Sequence, residues 1–390
     1  MFESRRSLYS VASLVAARII YAVNWVNLGP IYTLMEPDLH AGVGGLGVLT
    51  AAFFMGLGIF QVPGGVLAAR WGPRRVVTLG IMMSSFAVLG TSASGFLLEA
   101  AVFRFVVGAG MAFVFAPAVV LVARFMSGRR SGMAAGLYNS AFDIGGILGT
   151  FAWIVVAGYE GWRPSLFLSG AIGIGTGALV LLTVPGDTPQ GDGGVILPKL
   201  VGVLKEKRLI LIGLGVLGTD IGMNLVAGFV VYYLVNSLGV QPAVAGLVGG
   251  MVFAVAIFST LWGGRVYDRL PRPRLLMLLG NLGVVAALVV CSVPSILAAL
   301  VCTVALGIAA SISFTVAFAA ARDINRAGPE YDSLAIAWVN CIGLFGSFWP
   351  PLVFAYLVGV SGYSYAWLGG ALLALLFTVP LLALKEGVGD

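Results

Sequence analysis

Gly64-Gly65-Val66-Leu67-Ala68-Ala69-Arg70-Trp71-Gly72-Pro73-Arg74-Arg75 is a short, basic, glycine-bearing stretch between two long apolar runs. About 199 residues later, Gly263-Gly264-Arg265-Val266-Tyr267-Asp268-Arg269-Leu270-Pro271-Arg272-Pro273-Arg274 stands in the same setting. The two stretches mark where a membrane would end and which side is inside. They also suggest that the chain is built twice.

The apolar runs around them continue through the whole chain of 390 residues. It is 59% hydrophobic and 10% charged, with a mean hydropathy of +1.03. A soluble domain carries about 25% charged residues, so this chain cannot cover itself with polar surface. Apolar stretches of about 18 residues or more are what a membrane-spanning helix needs. The net charge of +6 comes from short basic clusters between apolar runs. They form no basic stripe with aromatics, so they read as topology signals rather than a nucleic-acid surface. Cys291, Cys302 and Cys341 all lie inside apolar runs and show no metal or disulfide spacing. His40 follows Asp38 in a short polar break and reads as a solvated loop residue. The basic start, Met1 to Arg6, resembles a signal peptide. However, Arg18 interrupts the run behind it and the run continues through Tyr32, so a retained first helix is expected.

Twelve helices are expected, at about 10–34, 43–68, 76–93, 97–124, 132–157, 165–185, 208–235, 242–263, 275–293, 295–320, 333–358 and 363–384. With both termini cytoplasmic, all of the 22 basic residues except Arg18, Arg104 and Arg163 fall on inner segments. The positive-inside rule selects that orientation. The Gly/Pro/Asp-bearing interval after Pro185 reads as a linker, and Ile196 to Arg208 could lie on the inner interface. The expected organisation is a bundle at 1–185, a cytoplasmic linker at 186–207 and a bundle at 208–390. Setting Gly65 on Gly264 also sets Gly47 on Gly246 and Phe54 on Phe253. A two-residue drift brings Asn139 onto Asn340 and Gly145 onto Gly346. The expected fold is therefore an all-α membrane protein of two pseudo-symmetric six-helix bundles. In such parallel-repeat transporters the substrate site lies between the halves, near the bilayer midplane.

The first stretch matches a known loop signature: Gly65, then Arg70, Gly72, Arg74 and Arg75, with Ala69 where an acid is usual. The second copy carries Gly264, Asp268 and Arg269 but lacks the later glycine. On these residues, and over essentially its whole length, the chain resembles the major facilitator superfamily. The resemblance implies an inner gate in which the acid pairs with arginines, here leaning on Asp268. Arg104, Gly108 and Gly110 resemble the family's helix 4 motif, whose arginine is often tied to proton coupling. Snorkelling to the interface is the alternative reading of Arg104. In helix 5, Ala141-Phe142-Asp143-Ile144-Gly145-Gly146 keeps the final glycines of the drug-exporter motif and lacks its Gly-Pro kink. Gln61-Val62-Pro63-Gly64-Gly65, and Ala123-Arg124-Phe125 with Arg129-Arg130-Ser131-Gly132, are weakly similar to the anion-transporting branches (the anion:cation symporters and the nitrate and oxalate carriers). The symporters' anion-binding arginine would fall at Asn24-Trp25 and is absent there.

Charges inside membrane helices are costly and mark function by default. Arg18, Arg104, Asp143 and Asp220 are the four. At about 1.5 Å per residue, Arg18, Asp143 and Asp220 sit roughly 12–18 Å from the inner ends of their helices. Asp220 is the first candidate for a proton carrier and Asp143 the second, with Arg104 added by the resemblance. A static Arg18–Asp143 ion pair that only fixes packing is the alternative. Substrate contacts are expected from Arg18, Tyr21, Asn24, Trp25, Asn139, Asn224, Trp338 and Asn340, where amides and aromatics recur at helical spacing. Gly132/Gly136 and Gly145/Gly149 should bring helices close.

The functional expectation is a secondary active transporter of a small polar solute, an organic anion held by Arg18, working by alternating access with proton coupling. An exporter of hydrophobic or cationic compounds is the alternative. No nucleotide-binding signature, catalytic cluster or metal set is present in the sequence, so neither an enzyme nor a cofactor is expected. The expected partners are the lipid bilayer, the solute and protons. The expected state is a monomer in the cell membrane.

Overall fold

The computed structural model describes residues 5–125, 131–186, 197–325 and 332–385. Residues 187–196 of the expected linker, and Arg129 and Arg130, lie outside the described residues. Among those described there is no strand, and twelve helices are long and apolar enough to cross a membrane. The chain divides into two compact units, Met1–Gly191 and Asp192–Asp390. The boundary falls inside the interval 186–207.

The first unit holds α1 (Arg5–Val26), α2 (Leu28–Leu39), α3 (Gly42–Trp71), α4 (Pro73–Ala93), α5 (Leu97–Ala112), α6 (Phe115–Phe125), α7 (Ser131–Ile147), α8 (Trp153–Glu160) and α9 (Trp162–Thr183). The second holds α10 (Leu197–Lys205), α11 (Lys207–Asn236), α12 (Pro242–Arg269), α13 (Pro273–Cys291), α14 (Ile296–Ile324), α15 (Asp332–Gly346), α16 (Pro350–Ser361) and α17 (Tyr363–Thr378). Each unit carries six spans, and three of the long apolar runs are broken rather than continuous.

Proline accounts for the breaks. It offers no N–H and its ring crowds the carbonyl four residues earlier. Pro30 acts on Val26, where α1 ends; Pro117 acts on Phe113, between α5 and α6. Pro350 and Pro351 act on Gly346 and Ser347, between α15 and α16. The expected continuous helices at 10–34, 97–124 and 333–358 are therefore each two helices. Pro63, by contrast, sits inside α3 without ending it. A fourth irregularity has no proline: one π turn, Leu148–Ala152, joins α7 to α8. Such turns recur at functional sites.

The two basic stretches are helical for most of their length. Helix α3 runs through Trp71 and α12 through Arg269, further than the expected ends at 68 and 263. Between α3 and α4 only Gly72 is non-helical, with φ +88°, a conformation that favours glycine.

Glycines set how closely helices approach, and both units use the same device. A side-chain carbon at Gly108 would collide with the Phe53 carbonyl oxygen, and one at Gly307 with that of Val252. Both members of the pair shift by about 199 residues between units. Gly145 likewise abuts the Ile19 carbonyl, while Gly346 abuts the Leu217 side chain. A Cβ at Gly149 would lie 3.0 Å from the Val23 carbonyl oxygen. The Gly132/Gly136 pair lies outside the residues whose surroundings are described. In the basic stretches the close approach belongs to the preceding glycine. A Cβ at Gly64 would stand 2.9 Å from the Ala112 carbonyl, whereas at Gly65 it would meet nothing within 4 Å. Gly263 and Gly264 repeat the pattern, at 3.1 Å from Ile312 Cα and 3.9 Å from Thr315. One residue is a rotation of about 100° on a helix, so only one of each pair can face the neighbouring helix.

Candidate functional site

Arg18 projects from α1 and is 7% exposed. Four rings stand around its guanidinium: Tyr21 at 4.6 Å, Phe142 at 4.6 Å, Phe115 at 4.7 Å and Tyr138 at 5.0 Å. Helical spacing supplies three of them. Tyr21 is one turn from Arg18 on α1, and Tyr138 and Phe142 are one turn apart on α7. The fourth, Phe115, opens α6 just past the Pro117 break. Each cation–π contact is worth about 0.5–2 kcal/mol, which helps hold a charge that costs about 2.5–3.5 kcal/mol at a membrane helix centre. Ring faces accept no conventional hydrogen bonds, however. Arg18 Nε and Nη1 are buried without a hydrogen-bond partner.

Asp143 follows Phe142 on α7 and is 9% exposed. It makes no ion pair with Arg18. The two charges are close enough to interact without forming the direct ion pair that would have explained both as packing. Asn139, one turn earlier on α7, is exposed.

The aromatic surface continues from the cage. Trp25 lies 5.7 Å from Tyr21 and 5.7 Å from Phe142. Behind it, Phe53 and Phe54 of α3 sit at 5.2 and 5.6 Å, edge to face, a preferred arrangement for aromatic pairs. Trp25 and Phe142 are half-buried, whereas Tyr21, Phe53 and Phe54 are buried.

Arg104 does not snorkel. It is 3% exposed, lies 4.7 Å from the Phe53 ring, and donates from Nη1 to the Asn24 carbonyl at 3.1 Å. The break at Asn27 leaves helix 1 carbonyls short of partners, and Arg104 supplies one. The Asn24 side chain is also engaged, accepting from Ser169 Oγ and from Asn27 Nδ2 at 3.3 Å. Asn24 therefore joins α1 to α5 and α9.

In the second unit, Asp220 on α11 is 6% exposed and its Oδ2 has no hydrogen-bond partner. It faces Gly343 on α15 so closely that a side-chain carbon there would collide with Oδ2. One turn along α11, Asn224 Nδ2 donates to Ser347 Oγ at 3.3 Å, and Ser347 donates to the Gly343 carbonyl at 2.8 Å. The acid thus lies against the break in span 11. Trp338 and Asn340 are half-buried on α15, and Trp338 Nε1 has no partner. Phe345 is 49% exposed.

Sequence reasoning missed a second polar group in this unit. Asn281 Oδ1 accepts from Thr219 and Ser313, each at 2.7 Å. Its Nδ2 donates to the Gly215 carbonyl at 2.8 Å and to Thr378 at 3.2 Å. These bonds tie α11, α13, α14 and α17 together. Membrane helices use such polar contacts as glue. The signal was present as four small polar residues inside apolar runs, but nothing in one sequence showed that they meet.

At the basic stretches, Arg70 and Arg75 are exposed, and Arg74 donates to the Leu181 carbonyl at the end of α9. Asp268 and Arg269 are exposed. The acid that engages the second stretch is Asp323, which accepts from Tyr267 at 3.0 Å and pairs with Arg322 at 3.2 Å. Arg163, in the first turn of α9, bonds the Ser92 and Ser94 carbonyls at 3.0 and 2.7 Å. It also lies 3.6 Å from Asp38. His40 is exposed. A cavity of about 530 Å³ at the α8–α9 turn, lined by Val156, Tyr159, Glu160, Pro164, Ser165 and Leu168, contains none of the candidate residues.

Twelve spans in two six-span units, with broken helices and unpaired charges buried among them, define a multi-pass membrane transporter. The chain belongs to the Major Facilitator Superfamily, which it matches over residues 14–217 and 210–388. It is similar to the probable nitrate transporter NarT of Staphylococcus aureus (strain Newman), 24% identical over 349 residues, covering 87% of this chain and 86% of the relative. NarT of Staphylococcus haemolyticus is 26% identical over 350 residues, covering 87% of each. Among solved structures, it is similar to a bacterial homolog of the human lysosomal transporter Spinster in an inward-facing and occupied conformation. The TM-score is 0.78 at 15% identity, covering 98% of this chain and 97% of that one. A D-xylose-proton symporter gives a TM-score of 0.77 at 14% identity, covering 98% of each chain.

Proposed function

We propose that this transporter carries a small anion by alternating access, binds it at Arg18, and couples its movement to protons. The observation that carries the reading is the state of Arg18: a buried guanidinium boxed by rings, with no carboxylate in ion-pair contact and two nitrogens unbonded. An unmet charged donor in a dry site costs more than the about 1–3 kcal/mol of a neutral one. An anion is the ligand that relieves it. Relatives named as nitrate transporters support an anionic solute. A cation would meet repulsion from Arg18, which disfavours an exporter of cationic compounds.

Asp220 is the first proton carrier in this proposal and Asp143 the second. A buried carboxylate with no partner is expensive, and protonation neutralises it. Both acids stand beside irregular helix segments, where small backbone rearrangements change access to water. The proposed setting is the cell membrane with both termini cytoplasmic, which the placement of the basic clusters supports.

The test uses purified protein in proteoliposomes, with anion uptake and internal pH followed together. Arg18→Gln should abolish anion uptake, and Asp220→Asn should uncouple uptake from proton movement. Uptake that survives Arg18→Gln refutes the anion site. Unchanged coupling in both Asp220→Asn and Asp143→Asn refutes the proton assignment.

A further inference from the structure

Around Arg18 the first unit offers one positive charge, the nearby carboxyl of Asp143, and an extended aromatic surface. The other cation buried there, Arg104, is committed to the Asn24 carbonyl and the Phe53 ring. With Asp143 protonated, as its proposed role as a proton carrier allows, one guanidinium matches one negative charge. A dianion such as sulfate would bring a second charge with no counterpart, at a high desolvation cost.

The surface next to that charge is not shaped for a small hydrated ion. Trp25 and Phe142 are half-buried and meet edge to face at 5.7 Å, their planes 89° apart, so that they form a corner. Tyr21, Phe53 and Phe54 back them and are buried. Rings braced edge to face in this way present a fixed apolar wall, and a flat ring laid on it gains both burial and stacking. Acetate or nitrate would satisfy Arg18 and leave most of the wall unused.

We infer that the anion taken at Arg18 is an aromatic monocarboxylate, held by its carboxylate on the guanidinium and by its ring on Trp25 and Phe142. The inference rests on Arg18 being the anion site and adds the class of anion. Trp25 and Phe142 are then the specificity-determining residues, because they touch the part of the ligand that acetate and nitrate lack.

The experiment is isothermal titration of the full-length protein in lipid nanodiscs with benzoate, acetate, nitrate, sulfate and benzylamine. Wild type should bind benzoate about tenfold or more tighter than acetate or nitrate, with no heat from sulfate or benzylamine. Trp25→Leu should weaken benzoate about tenfold and leave acetate within about twofold. Nitrate or acetate binding as tightly as benzoate overturns the inference, and so does a Trp25→Leu loss shared equally by benzoate and acetate. If those small anions still depend on Arg18, judged by Arg18→Gln, the anion site itself stands. Anion binding unchanged in Arg18→Gln removes the site and the inference together. The wild-type series alone decides the ligand class if either variant fails to fold.

Discussion

Replacing Gly343 with alanine adds one carbon to the face of α15 that meets α11. That carbon would overlap Asp220 Oδ2 and stand 2.7 Å from Val216 Cγ1. Comfortable carbon contacts are about 3.5–4.0 Å, so the added methyl is about 1 Å too close on one side and worse on the other. Overpacking of this kind costs about 1–3 kcal/mol, which is about 5- to 150-fold in the population of the packed geometry. The least costly relief is rotation of the Asp220 carboxyl, because helix movement would disturb Asn224 and Ser347 as well. Gly343→Ala should therefore reduce coupled proton movement about as strongly as Asp220→Asn, while anion binding at Arg18, in the other unit, stays near wild type. The assay is anion-driven pH change in proteoliposomes, paired with a binding titration on the same preparation. Wild-type proton movement in Gly343→Ala, with Asp220→Asn impaired, would show that the carboxyl tolerates displacement. It would refute the claim that its packing against span 11 matters.

Gly108→Ala and Gly307→Ala place a carbon on backbone rather than on a side chain, so the helices themselves must part. Each should lower thermal stability by about 1–3 kcal/mol, read as an earlier unfolding midpoint in detergent. Arg104→Ala removes the donor to the Asn24 carbonyl and leaves that group unmet, costing about 1–3 kcal/mol. The unfolding midpoint should fall, because the break in span 1 loses its support. Cys291, Cys302 and Cys341 are free and buried, so the folded protein should not react with a bulky maleimide and the denatured chain should take up three equivalents.

Much of the architecture was legible because it rests on quantities a sequence states directly. The length of each apolar run is a count, as is the spacing of Gly65 and Gly264. Arg18 and Asp220 stood out because a charge within an apolar run is rare whatever the fold. The basic stretches were legible as motifs and not as structure. Gly64 rather than Gly65 meets the next helix, and Asp323 rather than Asp268 engages the second stretch. Each depends on which side of a helix faces which neighbour. The proline breaks were available in principle, yet Pro63 lies in an unbroken helix while Pro30, Pro117 and Pro350 do not. Residue type alone does not separate them.

What the sequence determined by itself is the solvent, the number of spans, the duplicated plan and the few charges that must do the work. Those follow from hydropathy and one-dimensional spacing. Only the tertiary structure decided what each charge meets. Arg18 and Asp143 could have formed a direct pair; instead Arg18 is enclosed by rings from its own helix and from two segments distant in sequence. Arg104 could have reached the interface; instead it bonds a carbonyl freed in span 1. Burial and pairing are set by contacts between helices far apart along the chain, and those contacts exist only once the chain has folded.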